Sequence, residues 1–197
     1  EEINRDVVGP VLTLPAGSCI LVADDSAVAR SVIELGLKAM GLPYIMTRTG
    51  KEAWERLQST VDNKGQAVGT DRIAVVLTDL EMPEMDGFEV LAAIKADPEL
   101  RGLPVIVTSS VEGLANIVRC IELGAEDYLS KPVNKVLLQA RLTSCLEKKR
   151  LRDEQRALLS RFATSEVARD LRDQGFAIGG RRLRASVMFC DIRGFTA

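Results

Sequence analysis

The stretch ILVADDSAVAR, residues 20–30, decides the fold of this chain together with VLTDLEMPEMDGFEVL, residues 76–91. In both stretches an apolar, strand-forming run ends on aspartate and continues into residues with helical spacing. Asp24 and Asp25 end the first run, and Asp79 ends the second. A strand followed by a helix, repeated along a chain, is typical of a parallel sheet with helices on its faces.

Further strands and helices continue this alternation along the chain. The predicted strands are 19–23, 44–46, 73–78, 104–108 and 127–129, and the predicted helices are 26–40, 50–60, 87–96, 112–123 and one that starts near residue 133. The strands are almost continuously apolar, as strands buried on both faces must be. The sequence therefore predicts an α/β fold with a parallel sheet, preceded by a leader over residues 1–17. A polar stretch, residues 59–72, is predicted to be an extended surface loop.

Residues 133–161 contain neither proline nor glycine, which predicts one long helix that continues past the end of the sheet. Its first turns carry Leu137, Ala140 and Leu142. We expect these three side chains to pack on the sheet, because a helix that follows a strand buries one apolar stripe against it.

The second half of this helix is highly charged, but three large apolar side chains interrupt the charges. Leu151, Leu158 and Phe162 are separated by seven and four residues, which favours a narrow helix–helix seam and hence a homodimer. A solvated connecting helix fits the same charged sequence, and the short run does not decide between the two.

The composition excludes several kinds of chemistry. The chain has no histidine and a net charge of −2. It therefore has neither Ser-His-Asp nor Cys-His catalysis, and carboxylates, hydroxyls and lysine must carry any reaction. The small net charge gives no reason to expect a nucleic-acid or anionic-membrane partner. No apolar run approaches the roughly 20 residues of a membrane span.

The cysteines and the first residues indicate the setting of the chain. Four scattered cysteines form no C-x-x-C pair, which predicts buried thiols in a reducing compartment, here the cytoplasm. The opening EEINRD lacks both an initiator methionine and signal-peptide character, so we expect a piece cut from a longer protein.

Several reactive side chains follow the predicted strands directly. They are Asp24, Asp25, Asp79, the hydroxyls of Thr108 to Ser110, and Lys131 before Pro132. In an open parallel sheet, ligands bind beyond the carboxyl ends of the strands. Converging carboxylates need a cation, and Mg²⁺ suits carboxylates with water and a phosphate oxygen. An aspartate can then act as the nucleophile in phosphoryl transfer, with lysine as counter-charge. Each residue alone has an ordinary alternative role as a helix cap or turn former.

With PVIVTSS (104–110) and GAEDYLSKPV (124–133), the two opening stretches resemble the receiver domain of two-component response regulators over residues 18–146. The resemblance implies a flavodoxin-like fold with strand order 2-1-3-4-5. It also implies a partner, a sensor histidine kinase or a phosphotransfer protein. The chain departs from the family pattern in its long 59–72 loop and in Ser110, where alanine is frequent.

The same resemblance assigns roles to individual residues. Asp79 would be the phosphoacceptor, and Mg²⁺ would be held by Asp24, Asp25, Asp79 and the backbone carbonyl of Glu81. Ser109 and Lys131 would bind the phosphoryl group, the lysine before a cis proline, and Tyr128 would swing inward on activation.

The end of the chain carries a second resemblance. VMFCDIRGFT, residues 187–196, is similar to the opening strand of class III adenylate and guanylate cyclases. This would make Asp191 and the backbone carbonyl of Ile192 metal ligands of a truncated cyclase site, and residues 164–197 the first piece of that domain. A strand that ends in an ordinary turn is the alternative. The piece alone is expected to make no cyclic nucleotide.

These expectations combine into one hypothesis. A receiver phosphorylated on an aspartate regulates a C-terminal nucleotide cyclase, with adenylate cyclase the favoured form, through a helical linker over residues 147–163. The homodimer would form along the helix 133–161. The alternative function is a phosphorylation-dependent interaction module without a functional cyclase. A DNA-binding output has little support, because no basic recognition helix follows.

Overall fold

The computed structural model describes residues 12–59, 72–110 and 114–162. The elements are β1 (Ser18–Ala23), α1 (Ala27–Ala39), β2 (Tyr44–Thr47), α2 (Gly50–Ser59), β3 (Arg72–Asp79), α3 (Gly87–Ala96), β4 (Val105–Ser109), α4 (Leu114–Glu122), β5 (Asp127–Ser130) and α5 (Lys135–Phe162). The predicted alternation of strands and helices is confirmed. Most of the predicted 59–72 loop and of the 1–17 leader lies outside the described residues, and so do residues 164–197 with the predicted cyclase strand.

The strands form one parallel sheet in the order β2-β1-β3-β4-β5, as the receiver resemblance implies. Strands β1 and β3 are neighbours at the centre, with Ala23 opposite Thr78. Strand β4 lies on the other side of β3, and Asp79 is opposite Thr108. The chain reverses its winding direction after β2, so the ends of β1 and β3 meet at the switch point where α/β sheets bind ligands.

Two hydrophobic clusters cover the two faces of the sheet, because alternate strand residues point to opposite sides. Ile20 and Val22 belong to the cluster that includes side chains of α1 and α5. Leu21 and Ala23 belong to the cluster that includes side chains of α2, α3 and α4. All four are essentially inaccessible to solvent. This double burial fixes the register of the central strand and hence the place where Asp24 leaves it.

Helix α5 packs on the sheet with a different stripe from the predicted one. Leu138, Leu142, Cys145 and Leu146 are buried, at spacings of four, three and one. Leu142 was predicted correctly, but Leu137 is 49% exposed and Ala140 is also exposed. Asn134 accepts hydrogen bonds from the first backbone amides of the helix. The helix packs into the core through Leu138 and Leu142, which leaves residues 137 and 140 on its outer side. None of the described helices is both long enough and apolar enough to cross a membrane.

The expectation of buried thiols is confirmed for three of the four cysteines. Cys19, Cys120 and Cys145 are buried. Burial raises the pKa of the Cys145 thiol to about 12, because the apolar surroundings penalise the thiolate. Cys190 lies outside the described residues. The three described thiols therefore act as small core residues rather than as nucleophiles.

Candidate functional site

An acidic pocket lies at the carboxyl ends of β1 and β3. Carboxylate oxygens of Asp24, Asp25 and Asp79 all lie within 4.8 Å of one another. Asp24 is completely buried and Asp79 is 4% exposed, whereas Asp25 is exposed. The three aspartates predicted from the strand ends are thus brought together, with one of them open to solvent.

Lys131 reaches into this pocket from the loop between β5 and α5. Its Nζ lies 2.8 Å from Oδ2 of Asp24 and 2.6 Å from Oδ2 of Asp79. The Lys131–Pro132 peptide bond is cis, as the resemblance implied. The Lys131 backbone amide donates a hydrogen bond of 2.8 Å to the carbonyl of Ser109, which joins this loop to the end of β4. The lysine predicted as a counter-charge therefore bridges two of the three carboxylates.

The charges in the pocket do not balance. Burial raises the pKa of Asp79; Lys131 opposes this shift and the nearby Asp24 adds to it. Burial acts to lower the pKa of Lys131, but hydrogen bonds to Asp24 and Asp79 outweigh it, and the pKa is raised. Both pKa values are raised because the Lys131 ammonium interacts with two carboxylates, whereas the Asp79 carboxylate shares that single ammonium with Asp24. The pocket therefore retains excess negative charge.

The start of α3 fixes the backbone of Asp79. Asp86 and Glu89 form a reciprocal capping box, with hydrogen bonds of 2.8 and 2.9 Å between each side chain and the other's backbone amide. The amide of Gly87 donates to the carbonyl of Leu80 at 3.0 Å. A Cβ at Gly87 would collide with the backbone carbonyl of Asp79, so only glycine permits this close approach.

Two residues, Ser26 and Arg30, hold the loop between β1 and α1. Ser26 caps α1, and its backbone amide donates 2.9 Å to Oδ1 of Asp24. One guanidinium nitrogen of Arg30 donates to the backbone carbonyls of Asp24 and Asp25, at 2.7 and 2.8 Å. Sequence reasoning missed Arg30. Its only signal was a basic residue one to two turns into the helix that follows an acidic pair.

The other predicted residues lie around this pocket. Ser109, the last residue of β4, is 1% exposed and follows the partner of Asp79 in the sheet register. The backbone amide of Glu81 hydrogen-bonds the Asp79 carboxylate. The Glu81 side chain accepts a hydrogen bond of 3.3 Å from the Ser110 hydroxyl. The two loops beside Asp79 are therefore joined by Ser110, the residue at which the chain departs from the family pattern.

Tyr128 lies farther along the same edge of the sheet. It is half-buried and lines a cavity of about 420 Å³ together with Leu114, Ile117, Leu137 and Arg141. Its backbone amide and Arg141 both donate to the side chain of Asp127, at 2.8 and 3.1 Å. The predicted switch residue thus sits where β5 meets α4 and α5.

The donor set of the pocket suits a small, hard cation. Oδ2 of Asp24 is buried, and the Lys131 ammonium lies 2.8 Å from it. All three side chains offer carboxylate oxygen, which Mg²⁺ and Mn²⁺ prefer, and the chain has no histidine to add an imidazole. The second predicted metal site, Asp191 with the carbonyl of Ile192, lies outside the described residues.

Comparisons with known proteins agree with the fold. The family model of the response regulator receiver domain matches residues 20–143, more than half of the chain. The chain therefore belongs to the response regulator receiver family.

Three similar proteins illustrate the relationship. The two-component response regulator ORR1 of Oryza sativa subsp. japonica is 41% identical over 130 residues, 64% of this chain. The receiver domain of a signal transduction histidine kinase from Syntrophus aciditrophicus is 29% identical, with a TM-score of 0.56 over 68% of this chain and 92% of that one. The Mn²⁺-bound form of response regulator Rcp1 is 28% identical, with a TM-score of 0.50 over 66% of this chain and 89% of that one.

The curated relative shares only part of its length with this chain. The match spans 54% of ORR1. The similarity therefore concerns the receiver and says nothing about the remaining parts of the two proteins. Membership of this family makes the chain a receiver of two-component signalling, a class in which an aspartate is phosphorylated.

Proposed function

We propose that this receiver accepts a phosphoryl group on Asp79 and requires Mg²⁺ for the transfer. The observation that carries the proposal is the bridge from one ammonium to two buried carboxylates beside a third, exposed one. Mg²⁺ would be held by Asp24, Asp25, Asp79 and the backbone carbonyl of Glu81. The cation would neutralise charge on the transferred group, and the Mn²⁺-bound form of the similar Rcp1 supports a divalent ion here.

The reaction needs little beyond placement and charge. A carboxylate oxygen of Asp79 attacks phosphorus, forming the aspartyl P–O bond as the bond from phosphorus to the donor breaks. Lys131, already 2.6 Å from Asp79, pairs with a phosphoryl oxygen, and the Ser109 hydroxyl donates to another. Tyr128 then moves toward the space that Ser109 leaves. Because the chain has no histidine, the phosphohistidine donor is a sensor histidine kinase or phosphotransfer protein elsewhere.

The first test is intact-mass analysis of the chain after incubation with acetyl phosphate. We expect one phosphoryl group per chain in the presence of Mg²⁺ and none in the presence of EDTA, because three carboxylates repel an uncompensated phosphate. Borohydride reduction of the acyl phosphate followed by peptide mapping should mark Asp79. A chain that stays unlabelled while a control receiver is labelled would contradict the proposal.

The output of the receiver is proposed to be a class III nucleotide cyclase, with adenylate cyclase favoured, in a cytoplasmic protein. The similarity of residues 187–196 to the first catalytic strand supports it. The decisive observation is the sequence of the parent protein after residue 197. A second metal-binding aspartate, with a lysine and an arginine in cyclase context, favours the enzyme. Their absence favours a phosphorylation-dependent interaction module.

Helix α5 is the proposed relay and the proposed dimer seam. Glu126, which precedes β5, pairs with Lys148 at 3.6 Å and with Arg152 at 2.8 Å, so the helix is held on the receiver well past its buried stripe. Leu151 and Leu158, one heptad apart, are exposed and available to a second copy. A change at Tyr128, two residues after Glu126, would then reach the helix through β5.

This relay predicts a clear effect of proline. In the full-length protein, Glu154→Pro should leave phosphorylation intact but abolish its effect on cyclase activity. A proline inside a helix removes a hydrogen bond and costs about 3 kcal/mol locally. Glu154→Ala is the matched control and should be regulated as the wild type is. Cyclase activity that still responds to phosphorylation in Glu154→Pro would rule out a continuous helical relay.

A further inference from the structure

Arg30 contacts the backbone of the acidic pocket rather than its carboxylates. It lies in α1, and one of its guanidinium nitrogens donates to the backbone carbonyls of Asp24 and Asp25 at 2.7 and 2.8 Å. The side chains of the same two aspartates contribute to the acidic cluster. The guanidinium thus contacts the backbone of this loop, while the carboxylates remain directed to the cation site.

This arrangement differs from that of Lys131. Lys131 contacts carboxylate oxygens of Asp24 and Asp79, which a cation would also use. Arg30 brings a permanent positive charge to the loop and occupies none of those oxygens in the contacts it makes with Asp24 and Asp25. It therefore offsets repulsion between the carboxylates without competing for the cation.

The two carbonyls also set the direction of the aspartates. They lie between the end of β1 and the N-cap Ser26, where the backbone leaves the sheet and has not yet entered the helix. A single nitrogen that donates to both carbonyls fixes the two peptide groups relative to each other. Partners that hold ligands in place commonly change metal affinity by 10-fold to 100-fold when they are removed.

We propose that Arg30 is a positioning residue for the divalent cation of this receiver. It holds the backbone of Asp24 and Asp25 so that both carboxylates face the ion, and it touches neither the ion nor the phosphoryl group. This inference rests on the proposed Mg²⁺-dependent phosphorylation of Asp79 and adds to it the residue that preorganises the ligands.

The test is Mg²⁺ binding by calorimetry on the whole chain, for the wild type, Arg30→Ala, Arg30→Lys and the control Arg101→Ala. Arg101 is an exposed arginine in the loop after α3. We expect Arg30→Ala to bind Mg²⁺ about 10-fold more weakly. Arg30→Lys should fall between it and the wild type, because an ammonium keeps the charge and can reach one or both carbonyls. Arg101→Ala should bind as the wild type does.

Phosphorylation by acetyl phosphate across a range of Mg²⁺ concentrations separates positioning from a general loss of structure. In Arg30→Ala the Mg²⁺ concentration for half-maximal rate should rise about 10-fold, with the rate at saturating Mg²⁺ nearly restored. If Arg30→Ala does not fold, the intermediate shift in Arg30→Lys decides. Unchanged Mg²⁺ affinity in either folded variant overturns the proposed role of Arg30 and leaves the proposed function in place. A wild type that binds no Mg²⁺ overturns the proposed function as well.

Discussion

Asp79→Asn is expected to remove all detectable phosphorylation of this chain by acetyl phosphate. The amide keeps the size of the side chain but lacks the anionic oxygen that attacks phosphorus. Asp24 and Asp25 remain in the variant, so the loss would identify the acceptor rather than the acidic pocket as a whole. Intact-mass analysis with Mg²⁺ present measures the effect directly.

The same substitution should not weaken the fold. Burial raises the pKa of Asp79. At neutral pH the ionised carboxylate therefore lowers the stability of the folded chain relative to the unfolded one. Removing it leaves Lys131 paired with Asp24 alone. We therefore expect the midpoint of thermal unfolding of Asp79→Asn to rise slightly above that of the wild type. The shift should disappear at a pH low enough to protonate the wild-type carboxylate.

The matched control is Asp97→Asn. Asp97 follows α3 as its C-cap, and its carboxylate accepts hydrogen bonds from the next turn, at the amides of Glu99 and Leu100. This variant should be phosphorylated at the wild-type rate. Phosphate retained on Asp79→Asn would mean that another aspartate accepts it.

Lys131→Met is expected to produce the second large effect, a loss of stability without Mg²⁺ together with a loss of phosphoryl transfer. The lysine is 14% exposed and is shared by two buried carboxylates. Methionine has a similar length but leaves both carboxylates without a cation. Removing one partner of a buried ion pair commonly costs about 3 kcal/mol or more. Chemical denaturation in EDTA measures this loss.

Magnesium should reverse part of the effect. In Lys131→Met the oxygens of Asp24 and Asp79 no longer contact an ammonium, so Mg²⁺ should stabilise this variant more than it stabilises the wild type. Phosphorylation should nevertheless stay low, because the counter-charge for the phosphoryl group is missing. Lys135→Met, at an exposed lysine that begins α5, is the control and should change neither property. Equal stabilisation of Lys131→Met and the wild type by Mg²⁺ would show that Lys131 does not share ligands with the cation.

The sequence alone determined the order of the elements and the place of the pocket. Strands buried on both faces must be apolar along their length, so β1, β3 and β4 were visible without any contact information. Parallel strands end at the same edge of a sheet, which placed Asp24, Asp79 and Ser109 together before any distance was known. These are local patterns combined with one topological rule, and one sequence suffices for them.

Tertiary structure decided everything that depends on rotation and distance. The stripe that α5 buries begins at Leu138 rather than at Leu137, because Leu138 and not Leu137 packs into the core cluster on this face of the sheet. The bridge from Lys131 to two carboxylates arises between residues far apart in the chain. The collision that forbids a side chain at Gly87 depends on how closely the start of α3 approaches the end of β3. The hydrogen bonds from Arg30 to two backbone carbonyls could not be predicted from the sequence either, since a basic residue on a helix has many possible partners. The sequence specifies which groups meet at the strand ends, and packing specifies which atoms touch, because only the folded chain fixes helix rotation and side-chain reach.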